Sequence, residues 1–350
     1  MPSPRLVRRR CLPTGKSRKV TDAATPGRHV FIGGDDAPRL DVLVASQLDL
    51  SRNHAATLIA NGCVQVDGRR ERASYRSRAG ETVVVEIPPA QGREITAESI
   101  PLEVVHEDDD VLVISKAAGM VVHPAPGNWT GTLVNALKGR GGPLSEGTEQ
   151  GREGIVHRLD KQTSGLLLVA KTDRAHRVLG AALQARQIRR RYAAMSWGHL
   201  VADRVTVNKP LGRDPKDRTR VAVVATGRSA KTDFIRLARF ESVDLLRAHL
   251  HTGRTHQIRV HLAATGHPVV GDDTYGGGGG RRLTGLPPER HFLHAAWLAF
   301  THPVSGEQLE FRSPLPRELV TSLALAAGDD AAPAGTDPLE HFGFYRLETD

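Results

Sequence analysis

One carboxylate in the run Gly154-Ile155-Val156-His157-Arg158-Leu159-Asp160-Lys161-Gln162-Thr163-Ser164-Gly165 is set between cations just ahead of an apolar segment. Asp160 is the only acid between Glu153 and Asp173, with Arg158 and Lys161 flanking it. Leu166-Leu167-Leu168-Val169-Ala170 follows and is expected as a buried strand, so the acid is expected on a turn leading into the core. A carboxylate beside guanidinium groups stays ionised with a depressed pKa, which suits nucleophilic or electrostatic work better than proton donation at neutral pH. The competing reading of such an Asp is a surface ion pair that merely closes a turn.

The elements that must position this turn are legible in outline. Leu102 to Val105 and Val111 to Ile114 are expected as two strands around Asp108-Asp109-Asp110. Strand signals then alternate with a few helices, which predicts an α+β domain on a mixed, largely antiparallel sheet. Thr255 is placed to cap a helix running to about Ala264, with Gly266 at its end and Pro268 beyond. In that helix Ile258 and Leu262 face the core while His256 and Arg259 share another face.

Other chemistries lack their residues. No His-Glu-x-x-His occurs, His256 and His261 lie five apart rather than three or four, and Cys11 and Cys63 form neither a disulfide framework nor a zinc cluster. No metal is expected, and the cysteine usage fits a reducing, cytoplasmic setting. Gly276 to Gly280 precedes Arg281-Arg282 with no strand-to-helix pattern, so it is expected as a flexible surface loop rather than a phosphate cradle.

The string His157-Arg158-Leu159-Asp160-Lys161-x-Thr163-Ser164-Gly165 resembles the signature of the RluA-type RNA pseudouridine synthases. Further segments agree in order and spacing: Ile188-Arg189-Arg190-Arg191-Tyr192-Ala193-Ala194, Pro210-Leu211-Gly212-Arg213-Asp214, and Ala230-Lys231-Thr232. So do Thr252-Gly253-Arg254-Thr255-His256-Gln257-Ile258-Arg259-Val260-His261-Leu262, Gly266-His267-Pro268 to Gly271-Asp272, and Leu293-His294-Ala295. The resemblance covers roughly residues 100 to 316. It implies that Asp160 is the catalytic carboxylate, that Arg259 pairs with it and holds its pKa down, and that Tyr192 packs against a flipped uracil. It also implies that Arg158 fills the gap left by that base, with His157 beside it among the base-flipping and RNA-contacting residues. No cofactor is implied, because substrate and product contain the same atoms. One departure is Ser115-Lys116-Ala117-Ala118-Gly119, where such enzymes show Asn-Lys-Pro-x-Gly; the missing proline loosens a turn but removes no charge. Lys116 is expected as surface charge without a catalytic role.

Composition agrees with a polyanionic partner. The 350 residues carry a net charge of +9 and a pI of about 9.9, which favours nucleic acid. No apolar stretch approaches the roughly 18 to 20 residues that span a bilayer, so a soluble protein without a membrane partner is expected.

Along the chain, residues 1–36 hold eight Lys or Arg without apolar periodicity and are expected as a disordered basic arm, with an arginine-rich transit peptide as the alternative. Residues 37–88 are expected as a compact αβ module. Leu40, Leu43 and Val44 recur at helical spacing, Ser51 is a good N-cap for a helix through Ile59, and strands are expected at Cys63 to Val66 and Thr82 to Ile87. The Ser-Arg-x-x-Ala-x-x-x-Ile-x-x-Gly-x-Val-x-Val-x-Gly pattern from Ser51 resembles the S4-type RNA-binding domain. Arg52, Arg69 and Arg70 are candidates there for phosphate contact, against the alternative of a solvated face. A linker at 89–100, a catalytic domain at 101–317 and an acidic tail at 318–350 complete the expected order. From Gly328 on, six acids face Arg346 alone.

The reading is a two-domain enzyme that converts uridine to pseudouridine in structured RNA. Large-subunit ribosomal RNA is the expected substrate, transfer RNA the competing one, DNA is not expected, and the oligomeric default is a monomer. The competing class is a noncatalytic RNA-binding factor.

Overall fold

The computed structural model describes residues 27–33, 37–50, 52–87, 95–125, 127–146, 152–278 and 285–346. Most of the basic arm, the Ser51 cap, residues 88–94 of the linker region and Gly279-Gly280 lie outside them. The chain divides into two units, Met1–Arg93 and Glu94–Asp350.

The first unit holds β1 (Gly27–Ile32), α1 (Leu40–Gln47), α2 (Arg52–Ala60), β2 (Val64–Val66), β3 (Arg69–Arg70) and β4 (Thr82–Ile87). Its four strands form an antiparallel sheet in the order β1-β4-β2-β3. Alternation puts Val64, Val66, Val83 and Val85 inward, where they pack on Leu40, Val44 and Leu58 of the helices. Residues 27–32 correct the expectation of a patternless arm, because they pair with β4 along its whole length. The pattern was hidden because Val30 and Ile32 point to solvent while Phe31 packs inward, so apolar residues run on without alternating.

The second unit starts with β5 (Glu103–Glu107), β6 (Val111–Lys116), α3 (Leu133–Arg140), β7 (Ser164–Ala170), α4 (Asp173–Gln184) and β8 (Arg189–Trp197). Next come β9 (Arg204–Asn208), β10 (Leu211–Arg213), β11 (Val221–Val223), β12 (Lys231–Arg239), β13 (Val243–Leu250) and α5 (Gln257–Ala263). β14 (Leu293–Thr301), β15 (Gln308–Arg312), α6 (Arg317–Ala327) and α7 (Pro338–His341) close it. Nine strands form one sheet, ordered β5-β6-β7-β14-β8-β13-β12-β9 with β15 also on β14. Among the described residues only β7 and β14 pair in parallel, so the sheet is mixed and largely antiparallel, as expected.

Both faces of the sheet are covered, which explains the unbroken apolar run of β7, all seven of whose residues are buried. On β8, Tyr192 and Ala194 join a core with Ile258 and Leu262 of α5 and Leu133 and Leu137 of α3. Ala193 and Met195 face the other way, onto Leu319 and Leu323 of α6 and Leu339 of α7. The C-terminal segment is therefore not the acidic tail expected from its composition. Leu319, Leu323 and Ala327 recur at helical spacing and, with Phe344 and Tyr345, bury against the sheet while Asp329, Asp330 and Glu340 are exposed.

At the parallel seam the backbones nearly touch. A Cβ on Gly165, whose φ is +105°, would lie 2.3 Å from the Ala295 carbonyl oxygen. Only glycine permits both that angle and that approach.

Candidate active site

Asp160 sits on the turn between Leu159 and β7, and the turn is tied down by its own backbone. The Thr163 N–H donates to the Asp160 carbonyl at 3.1 Å, and the Gly119 N–H to the Lys161 carbonyl at 2.8 Å. Beneath it lies Lys116, whose Nζ donates to the carbonyls of Ala117, Met120 and Lys161 at 2.7, 2.9 and 3.3 Å. The expectation that Lys116 is surface charge fails: it is 1% exposed. The signal was the strand period, which puts residues 112, 114 and 116 on one inward face. Burial pushes its ammonium down to about 7, with the nearby Arg290 charge adding to the effect and Asp160 opposing it.

Beside the turn opens a cavity of about 560 Å³, within the roughly 300–1,000 Å³ typical of ligand sites. Among the described residues lining it, Asp160 is the one acid, against Arg152, Arg158, Arg186, Arg190, Arg228, Arg254 and Arg259. A polyanion would enter it favourably while a single carboxylate stays at its wall.

Arg259 comes to Asp160 from α5. Its Nη1 donates to Asp160 Oδ2 at 3.2 Å, and its Nε and Nη2 donate to Asp272 Oδ2 and Oδ1 at 2.6 and 2.8 Å. Asp272 is 1% exposed and also accepts from the Thr274 and Tyr275 amides at 3.1 and 3.2 Å. The guanidinium is thereby locked by a bidentate buried carboxylate, with the Tyr275 ring 5.0 Å away. No role was foreseen for Asp272, although an acid beside Gly271 after an arginine-bearing helix was a usable signal.

Burial by itself would raise the Asp160 pKa. The charges of His256, Arg259 and His291 and the Arg259 hydrogen bond outweigh it, so the carboxyl lies below its ordinary value. Burial in turn pushes His256 down, and His291 down to about 3, so at neutral pH the standing cation is Arg259.

The helix carrying Arg259 starts differently from expectation. Thr255 is not its cap; the N-cap is His256 in a left-handed conformation at φ 56° with no side-chain cap bond. Gln257 anchors the start instead, accepting from Thr252 Oγ1 and the Arg254 N–H and donating to the Lys231 carbonyl and Thr232 Oγ1. The left-handed residue brings His256 Nδ1 to 2.8 Å from the Tyr275 hydroxyl and Nε2 to 3.9 Å from Asp160 Oδ1. Such backbone costs about 1–3 kcal/mol and concentrates at working sites.

Tyr192 lies on β8 with its ring at the same cavity, 4% exposed. Burial raises its phenol pKa, with Arg190 opposing and Asp160 adding, so it stays protonated at neutral pH. It offers an apolar plane rather than a ready base. Arg158 is exposed at the cavity. His157 lines the same cavity but is buried, its Nε2 accepts the Leu168 N–H at 3.1 Å, and burial lowers its pKa to about 3. The ring is therefore neutral at neutral pH and tied through Nε2 to the backbone of β7, while its Nδ1 is buried without a hydrogen-bond partner among the described residues. Arg52, Arg69 and Arg70 belong to the first unit; all three are exposed, and Arg52 Nε is bonded to Asp41 at 2.9 Å.

Residues 110–264 match the RNA pseudouridylate synthase family and residues 38–83 the S4 domain. The chain is 43% identical over 282 residues to the uncharacterized RNA pseudouridine synthase YlyB of Bacillus subtilis, covering 80% of this chain and 91% of that protein. To the ribosomal large subunit pseudouridine synthase D of Nitrosomonas europaea it is 44% identical over 292 residues, covering 81% and 83%. The chain belongs to the RNA pseudouridine synthase family. Among solved structures, this synthase is similar to human RNA pseudouridylate synthase domain containing 1, at 29% identity and a TM-score of 0.50, covering 63% of this chain and 86% of that one.

The synthase is an isomerase with an S4 domain ahead of its catalytic unit. Among the described residues one side-chain group has metal-binding chemistry: Asp233, His249 and His251, whose ligand atoms lie within 4.8 Å of one another. The two imidazoles are stacked at 19°, so their in-plane lone pairs run side by side rather than converging, and His251 Nε2 is engaged with Asp233 at 2.6 Å. As arranged, the group is a hydrogen-bonded pair with a stacked neighbour and does not fit a single ion.

Proposed function

We propose that this synthase converts uridines to pseudouridine in structured large-subunit ribosomal RNA, with Asp160 as the reacting carboxylate. Arg259 orients it and Tyr192 packs against the target base. The observation that carries the reading is the lone acid of an arginine-lined cavity, paired to a buried guanidinium at 3.2 Å. The 44% identity to a synthase named for the ribosomal large subunit supports the choice of RNA.

In the reaction the bond from ribose C1′ to uracil N1 breaks and a bond from C1′ to C5 forms. C5 gives up its proton and N1 gains one, so the atoms balance. An ionised carboxylate can attack the anomeric carbon or the base, and Asp160 is available in that form throughout the neutral range. The target base must leave its stack, at a cost of a few kcal/mol. Exposed Arg158 at the cavity would fill the vacated place, and the exposed cavity arginines Arg152, Arg186 and Arg228 would hold the flanking phosphates. In the first unit Arg52, Arg69 and Arg70 would grip the RNA backbone without reading sequence.

Pseudouridines mapped by carbodiimide labelling across total RNA, with and without the protein, test the substrate. Sites in large-subunit ribosomal RNA are expected; sites confined to transfer RNA would move the assignment, and none at all would leave a binding protein. Asp160→Asn should lower turnover by about 10³-fold or more with RNA affinity within a few-fold, and retained turnover would remove Asp160 from the chemistry.

A further inference from the structure

The Asp160 turn is gripped from the segment just before β14. Arg290 is 3% exposed and its Nη1 donates to the Gln162 carbonyl at 2.6 Å, its Nη2 to Ser164 Oγ at 2.7 Å. Its Nε donates to Glu318 Oε1 on α6 at 3.2 Å. Next to it, His291 Nε2 meets Thr163 Oγ1 at 2.9 Å. Three successive residues after Lys161 are thus held by two side chains of one segment. That segment also abuts the other half of the ion-pair network: a Cβ on Gly271 would lie 2.3 Å from the Arg290 carbonyl oxygen, so the loop bearing Asp272 rests directly on it.

We propose that Arg290 is a positioning residue for the synthase reaction: by gripping the turn at Gln162 and Ser164 from a segment that also bears on the Asp272 loop, it sets the spacing of Asp160 from Arg259, and Glu318 on α6 holds it in that grip. The inference rests on Asp160 carrying the chemistry. Arg290 Nη1 also donates to the carbonyls of His291 and Leu293 in its own segment, so the planar guanidinium joins that segment, the turn and α6 at once, which a lysine's single ammonium cannot reproduce. A buried guanidinium also needs a carboxylate, and Glu318 supplies it from a helix in the segment expected to be a tail. The plainer reading is an ion pair that only fastens α6 to the sheet. The two readings differ in what happens to the chemistry of a folded variant.

The test is single-turnover pseudouridine formation at saturating RNA across a pH series, with RNA affinity and thermal melting measured in parallel, for Glu318→Gln and Arg290→Lys. Affinity should stay within about twofold. The rate should fall about tenfold for Glu318→Gln and about 10²-fold for Arg290→Lys, as expected for small displacements of a reacting group. The acid limb should move to higher pH as Asp160 loses part of its contact with Arg259. Glu318 is partly exposed, so its variant should fold even if Arg290→Lys does not, and it then decides the matter alone. A folded Glu318→Gln with the wild-type rate and acid limb overturns the proposal. If Asp160→Asn is inactive alongside it, only the grip is lost; if Asp160→Asn turns over, the Asp160 assignment falls too.

Discussion

Replacing Arg259 with Met removes the cation that keeps Asp160 ionised, and the consequence can be sized from the geometry. At 3.2 Å between Nη1 and Oδ2 and an effective dielectric of about 20, the attraction is about 5 kcal/mol. Burial of Asp160 pushes the opposite way, so without the guanidinium the carboxyl pKa rises. The wild-type carboxyl titrates below the ordinary range and is ionised at any pH above it. In the variant the ionised fraction declines at a higher pH, so the rate at pH 6 should fall relative to that at pH 8. Loss of both charge and orientation should lower turnover near pH 7 by about 10²–10³-fold. RNA affinity should change little, since Arg259 is nearly buried. The substitution strands Asp272, a buried carboxylate, at about 3–5 kcal/mol of stability. A double variant with Asp272→Asn relieves that cost and keeps the protein folded for the assay. Single-turnover rates from pH 5 to 9 on a defined RNA decide the matter. An acid limb unmoved from wild type, or turnover intact with affinity lost, would refute the role given to this pair.

Changing both Arg69 and Arg70 to Gln should reduce the slope of log affinity against log salt by about 1–2 with no change in melting, and an unchanged slope would mean that neither meets phosphate. Phe344→Ala empties a fully buried site on the face of the sheet that α6 covers, and denaturant unfolding should show a loss of about 3–5 kcal/mol; a loss below about 1 kcal/mol would place the C-terminal segment outside the core. Lys116 has a folded pKa of about 7, below its ordinary 10.5. Between those values the unfolded chain binds more protons, so wild-type stability should gain as pH rises from 7 to 10. Lys116→Met should lack that gain, and a parallel pH profile would contradict it.

The alternating valines of β2 and β4 and the apolar run of β7 could be read from side-chain period, because each has a single way to bury its face. The Asp160 turn was readable from one isolated charge and its setting. Its partners were not, since Asp272, Arg290 and Glu318 reach the site through pairings set by the sheet order, which no local pattern encodes. Composition misled at both ends: acids masked the apolar spacing of α6, and outward valine and isoleucine masked β1. The start of α5 was missed because a four-bonded glutamine outcompeted the threonine hydroxyl as its anchor.

The seam where β7 meets β14 joins residues 130 apart, with Ser164 Oγ bonded to His294 Nδ1. A nascent chain that has already exposed its first unit and the aspartate turn therefore has no working cleft until the strand at Leu293 has left the ribosome, and the helix at Arg317 follows later still. Truncated or stalled translation products would carry much of the basic surface and none of the activity.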